Sequence, residues 1–237
     1  MPPPGGAGRA ILLSRRVMRP TRVATYHRTV RASLARVREN VLDWEHLPWL
    51  HPETFSHVRL LERRQDGFRV ESALRGAAAG DLLEIDVAFE ADGLTYHSRT
   101  VEGRGAGSDI VTRLEQVAPH TTRIAVEFLV PDVAPDRAQR AGAVYTRLYT
   151  LLWDQDEAMM MRRQAFLDGR LATAMREVAV NGVRIRHATV CPHRGGPLDD
   201  APVEDGCVRC PWHGYRFELR TGREAAGGPL RLETATA

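Results

Sequence analysis

Residues 131–177, PDVAPDRAQRAGAVYTRLYTLLWDQDEAMMMRRQAFLDGRLATAMRE, decide how the chain is read, because they separate two unlike stretches. Pro131 and Pro135 break what precedes them, and Asp136 is placed to cap a helix running to about Glu177. Tyr145, Leu148, Leu152, Met159, Met160, Phe166 and Leu167 form its apolar stripe, which reads as a face packed on a core. Upstream, six segments between His57 and Val130 alternate apolar and polar residues: VRLLERR, GFRVESAL, DLLEIDVAFEA, LTYHSRTVE, SDIVTRLEQVA and TTRIAVEFLV. Turn signals at Asp66-Gly67, Gly80-Asp81, Asp92-Gly93 and Gly103 to Gly107 separate them, so antiparallel strands are expected. Residues 23–32 predict one further strand. In residues 34–51, LARVRENVLDWEHLPWLH, the spacing of Val37, Val41 and Leu42 suits a helix before Pro48 interrupts it. Downstream, VAVNGVRIRHATV reads as a hairpin about Asn181-Gly182 that opens a second domain near Val178.

Hydrophobic residues at 43% and charged residues at 27% describe an ordinary globular chain, and 237 residues suffice for one large domain or two modest ones. Every one of the 33 basic residues is Arg, but 30 acidic residues are interleaved with them, and no basic stripe points to nucleic acid. A run of apolar residues long enough to span a membrane is missing. Residues 1–22 are rich in Pro, Gly and Arg and read as a flexible tail without a signal-peptide core, which places the protein in the cytoplasm. Three cysteines, all between 191 and 210, do not make a disulfide framework and suit metal binding better.

The C-terminal stretch CPHRGGPLDDAPVEDGCVRCPWHGYRF contains Cys191-x-His193, sixteen residues, then Cys210-x-x-His213. Two thiolates and two imidazoles can give one ligand pair to each of two irons, and the adjoining Gly195, Gly196, Pro197 and Gly214 let the backbone pass close to the bound group. The rival is a zinc site over Cys207-x-x-Cys210-x-x-His213, but Cys191-x-His193 is too tight for an ordinary zinc knuckle. Both loops resemble Rieske 2Fe–2S proteins. That resemblance implies a 2Fe–2S cluster on Cys191, His193, Cys210 and His213, with Cys207 a structural or free thiol. Respiratory Rieske proteins carry an extra disulfide between the cluster loops. Gly196 and Trp212 stand here instead, so the resemblance is to the oxygenase-associated type.

Residues 39–51, ENVLDWEHLPWLH, contain Asn-x-x-Asp-x-x-His-x4-His and resemble the mononuclear iron motif of Rieske non-haem iron oxygenases. The order strand, helix, sheet and long helix resembles the START-like (SRPBCC) helix-grip fold, in which the sheet wraps the helix and leaves an apolar cavity. The expected class is therefore α+β. Residues 1–22 would be a tail, 23–177 a START-like catalytic domain and 178–237 a small all-β Rieske domain.

The oxygenase resemblance implies Fe(II) on His46, His51 and a helix carboxylate, Asp156 with Asp154 in reserve, eight residues before Gln164 in the preferred case. It also implies Asp43 as the carboxylate that links a ligand histidine to a cluster histidine, and Asn40 as the nearby polar residue. The implied activity is monooxygenation or dioxygenation of an apolar, aromatic-type substrate with O2, with electrons from a reductase or ferredoxin. The family's ring assembly implies a homo-oligomer, a trimer, although the cluster domain here comes last instead of first and a within-chain route is open. The alternative is a non-catalytic hydrophobic-ligand-binding helix-grip domain fused to a Rieske electron-transfer or redox-sensing module.

Overall fold

The computed structural model describes residues 20–236. Most of the expected tail lies outside the described residues, and Thr21 and Arg22 already belong to β1 (Thr21–Val30). Ser33 then starts α1 (Leu34–Val41), its hydroxyl accepting from the Arg36 N–H at 3.4 Å. This helix buries Val37 and Asn40. A 3-10 turn (Trp44–His46) and the single-turn α2 (Leu47–Leu50) follow. Pro48 sits in the first turn of α2, where a missing N–H is harmless, so it begins a helix instead of interrupting one. The preceding helix has already ended at Val41.

Next come β2 (Phe55–Arg63), β3 (Gly67–Leu74), β4 (Leu83–Phe89), β5 (Thr95–Glu102), β6 (Asp109–Ala118) and β7 (Thr121–Val130). Each pairs antiparallel with its neighbour, and β1 closes on β7, giving the order β1-β7-β6-β5-β4-β3-β2. α3 (Pro135–Leu167) then crosses the inner face of this sheet and packs against β1. Ala134 is the cap residue and makes no side-chain cap bond, so Asp136 lies in the first turn and favours the helix dipole instead of capping. α3 stops at Leu167, short of Glu177: Gly169 takes φ +66°, and residues 175–180 are extended as β8 (Met175–Val180).

The apolar sides of sheet and helix meet in one core. Phe128 stacks on Tyr145 at 5.0 Å between ring centroids and meets Tyr149 edge-on at 4.8 Å, while Phe89 and Tyr96 lie 5.2 Å apart. Trp153 and Met160 of α3 fill the same space. Where the helix-grip resemblance implies an apolar cavity, these rings pack against one another. Each such side chain contributes roughly 1.5–3 kcal/mol by leaving water.

In the second unit, β8 pairs with β9 (Val183–Ala188) about Asn181 and Gly182, at φ +50° and +78°. β10 (Val203–Glu204), β11 (Cys207–Arg209) and β12 (Arg216–Glu218) form one small sheet; β13 (Thr234–Thr236), β9 and β8 form the other. Their core holds Ile185, Leu198, Val208, Phe217 and Leu219, joined by Met159 of α3. Met159 and Met160, adjacent on one helix, thus serve two different cores. The whole is an α+β chain: a helix-grip sheet on a long helix, followed by a small β domain seated against that helix. No described helix is long and apolar enough to cross a membrane.

Candidate metal centre and cluster site

His46 ends the 3-10 turn, His51 follows α2, and Asp156 projects from the middle of α3. All three are buried, and one ligand-type atom from each lies within 4.8 Å of the others. Oδ1 of Asp156 is the focus: Nε2 of His51 is 3.1 Å away, Nε2 of His46 3.4 Å, and Nδ2 of Asn40 donates to it at 3.2 Å. Burial disfavours the charge on Asp156, yet the hydrogen bonds and charges of His46 and His51 hold its pKa well below the usual carboxylate range. The converse holds at His46, where burial lowers the pKa but Asp156, and behind it Asp43, raise it on balance. Such a carboxylate between two imidazoles is as attractive to a divalent cation as it is to protons.

The other nitrogen of each histidine decides which one points inward. Nδ1 of His51 lies 2.6 Å from Oε1 of Gln155, an acceptor only, so Nδ1 carries a proton and Nε2 is the nitrogen turned toward Asp156. Nδ1 of His46 is buried without a hydrogen-bond partner, 4.0 Å from Oδ2 of Asp43. The donor set, two imidazole nitrogens and one carboxylate within 4.8 Å of one another, fits an iron of the facial-triad type.

Two equivalent loops build the second site. The Cys191 N–H donates to the Gly196 carbonyl at 2.9 Å and the Cys191 carbonyl accepts from the Gly195 N–H at 2.9 Å. Cys210 repeats the pattern with Tyr215 at 2.8 Å and Gly214 at 3.0 Å. Gly195 and Gly214 take φ +82° and +70°, a conformation that favours glycine. A Cβ on Gly196 would lie 2.6 Å from the Cys210 sulfur, so the loop leaves room beside the thiol that a side chain would fill. The Cys191 thiol and the Trp212 and His213 N–H groups bond to the Cys210 sulfur, and the Cys191 bond lowers its pKa against burial. Burial and the nearby charges of His213 and Arg194 push His193 down to about 4, leaving it neutral, and its buried Nδ1 has no partner. Nε2 of His213 is engaged elsewhere, which leaves Nδ1 for the cluster. These four donors fit a 2Fe–2S group.

One carboxylate joins the two sites. Oδ2 of Asp43 accepts from Nε2 of His213 at 2.8 Å and from Nη1 of Arg194 at 2.9 Å. Successive ring centroids are close, His51 to His46 5.2 Å, His46 to His213 6.5 Å and His213 to His193 4.7 Å. All belong to one chain. The junction is tightly packed: a Cβ on Gly214 would lie 2.2 Å from Trp49, one on Gly195 would lie 2.6 Å from Phe166, and Arg162 donates to the Gly195 carbonyl at 2.7 Å.

The phase of α3 separates the two candidate carboxylates. Trp153, Asp156 and Met160 share the inner face, and Asp154 points outward to Arg28 at 2.6 Å. Gln164 bonds to Asp168 at the helix end and is remote from the triad, whereas Gln155, not anticipated, orients His51. Arg194 and Glu39 were also not anticipated; a cation placed between two cluster-loop residues was the available signal. Cys207 is a buried free thiol on β11.

Residues 168–232 match the family model described as the Rieske [2Fe-2S] domain, a span that contains all four cluster donors. Curated relatives include Apoptosis-inducing factor 3 of Mus musculus and of Homo sapiens, each 53% identical over 32 residues. That overlap is 14% of this chain and 5% of theirs, so the chain spans about a twentieth of the length of those relatives. Among solved structures, a START superfamily protein from Mycobacterium smegmatis overlaps 57% of this chain and 97% of its own (TM-score 0.47, 17% identity). The Zhui aromatase/cyclase from Streptomyces sp. R1128 overlaps 62% of this chain and 96% of its own (TM-score 0.46, 18% identity). The quaternary ammonium Rieske monooxygenase CntA overlaps 65% of this chain and 40% of its own (TM-score 0.45, 11% identity). The C-terminal unit is a Rieske domain. It implies a 2Fe–2S cluster and an iron–sulfur electron-transfer role.

Proposed function

We propose that this chain is a Rieske-type oxygenase, which takes electrons from a separate reductase or ferredoxin and hydroxylates an apolar substrate, aromatic ones included, with dioxygen. The observation that carries this reading is the Asp43 carboxylate, hydrogen bonded to a cluster histidine and 4.0 Å from a triad histidine of the same chain. Iron, when held by His46, His51 and Asp156, would supply dioxygen activation, and a 2Fe–2S cluster on Cys191, His193, Cys210 and His213 would supply single electrons.

The chain's own residues prepare both sites. Gln155 holds the proton of His51 on Nδ1, and Asn40 steadies Oδ1 of Asp156. Asp43 holds the Nε2 proton of His213 and faces Nδ1 of His46, so the path between the sites needs no second subunit. A trimeric ring is not required by this arrangement. Phe55, 6.4 Å from the His51 ring, and the buried Trp153 and Met160 keep the surroundings of the triad apolar, which is the reason for proposing an apolar substrate. Whether one oxygen atom or both enter the product depends on where that substrate sits, and the reading covers both.

The second reading, a ligand-carrying helix-grip domain fused to an electron-transfer or redox-sensing module, predicts no metal at the triad. Quantifying iron and acid-labile sulfide on the purified, reconstituted chain separates the two. Iron in excess of sulfide by one atom per chain supports the oxygenase, and equal amounts sink it.

A further inference from the structure

Arg194 stands between the cluster ligand His193 and Gly195, yet its guanidinium crosses the domain junction. Nη1 donates to Oδ2 of Asp43 at 2.9 Å, the same oxygen that accepts from His213 at 2.8 Å. The same nitrogen lies 3.5 Å from Oε1 of Glu39, which Arg163 of α3 holds at 3.2 Å and Arg36 also pairs. A small cavity at the junction is lined by Glu39, Asp43, Arg163, Arg194 and His213.

The geometry around Asp43 is lopsided. Both donors at Oδ2 come from the cluster loops, while Nδ1 of His46 stays 4.0 Å from that same oxygen, too far for a hydrogen bond. A buried carboxylate facing two histidines can turn toward either. A fixed guanidinium on one side settles the choice, because charge-assisted hydrogen bonds are the stronger kind. Glu39 and Arg163 in turn keep that guanidinium from leaving.

We propose that Arg194 is a positioning residue: from the cluster loop it fixes the Asp43 carboxylate against His213, so that the link between the two sites forms only when that loop is docked on α1 and α3. The purpose of the link rests on the oxygenase reading above; its existence does not.

The test uses the full chain with its cluster loaded, as wild type, Arg194→Gln, Arg194→Lys, Asp43→Asn and the double variant R194Q/D43N. Electron–nuclear double resonance of the reduced cluster reads the coupling to the remote nitrogen of each histidine ligand, and so reads the His213–Asp43 bond directly. Arg194→Gln is expected to shift one of the two couplings toward its Asp43→Asn value, with the double variant shifted no further than Asp43→Asn alone. Arg194→Lys, which keeps the charge, should stay near wild type. Arg162→Gln, which removes the 2.7 Å bond to the Gly195 carbonyl and leaves Asp43 alone, should not move the coupling. A wild-type coupling in Arg194→Gln, an additive double variant, or an equal shift in Arg162→Gln overturns the proposal. A second readout is reoxidation of the reduced cluster by dioxygen, expected about tenfold slower in Arg194→Gln, the scale of one lost charge-assisted hydrogen bond. If that rate is indifferent to every variant while the coupling shifts as described, the oxygenase reading fails and the positioning role stands.

Discussion

His213 donates through Nε2 to Oδ2 of Asp43 at 2.8 Å, joining the cluster loop to the helical segment that carries His46. The partners are 170 residues apart in sequence, and both are buried. Neither residue could be replaced by solvent at that depth, so the bond couples the position of one domain to the chemistry of the other.

Because the link lies within one chain, mixing two crippled chains should not restore turnover. Equimolar Cys191→Ser and His46→Ala proteins, incubated together and supplied with electrons, are expected to show no product above the sum of the separate samples. Recovery toward a substantial fraction of wild type would mean that electrons cross between subunits. Sedimentation of the mixture reports whether subunits associate at all.

Gln155 fixes the tautomer of His51 through a 2.6 Å contact. Gln155→Leu should weaken iron binding at the triad by roughly 10- to 100-fold, the usual cost of losing an outer hydrogen bond to a ligand histidine. Titration of the iron-stripped triad with Fe(II) or Co(II) measures it. The cluster spectrum should not change.

Asp154 and Asp156 are two residues apart and should behave oppositely. Asp154 is largely exposed and paired with Arg28, so Asp154→Asn should keep the triad metal and change stability by less than about 1 kcal/mol. Asp156→Asn should abolish metal binding there. Metal analysis together with thermal unfolding decides both, and equal metal loss in the two variants would refute the assignment.

Gly214 faces the Trp49 ring at a distance that leaves no space for a methyl group, with φ +70°. Gly214→Ala is expected to destabilise the chain by about 2 kcal/mol or more, combining backbone strain with overpacking. In a Trp49→Ala background the steric part should disappear and the strain part remain. Denaturant unfolding of the four proteins gives the coupling, and strict additivity would show that the contact with Trp49 is not what confines Gly214.

The cluster loops were legible because their ligands are neighbours in sequence: the spacing of Cys191, His193, Cys210 and His213 points to a metal group, and the resemblance of both loops to Rieske proteins implied which one. Several strands were legible for a similar reason, since β3, β4 and β7 bury one face and alternation records it. His46, His51 and Asp43 were within reach because a short segment carries them all. Asp156 needed helix phase, and counting from Trp153 to Met160 supplies it. Gln155, Glu39 and Arg194 were not legible, because each acts on a partner more than a hundred residues away that only the folded chain brings near. The helix end was misplaced because residues 168–177 carry no strong breaker besides Gly169, and pairing of β8 with β9 overrides their helical propensity.

The wide separation of Asp43 and His213 has a consequence for how the protein is made. Synthesis runs from the N-terminus, and domains fold largely in that order. His46, His51 and Asp156 can meet once α3 has emerged, while the Cys210 loop has yet to be translated. The nascent chain can therefore bring its candidate metal ligands together before the cluster loops exist. Expected of a chain halted after Leu167 is a triad that takes up Fe(II), measured by metal analysis, and consumes no reductant-dependent dioxygen. On the oxygenase reading, late arrival of residues 191–213 would leave the candidate triad without its electron source until the cluster loops have docked.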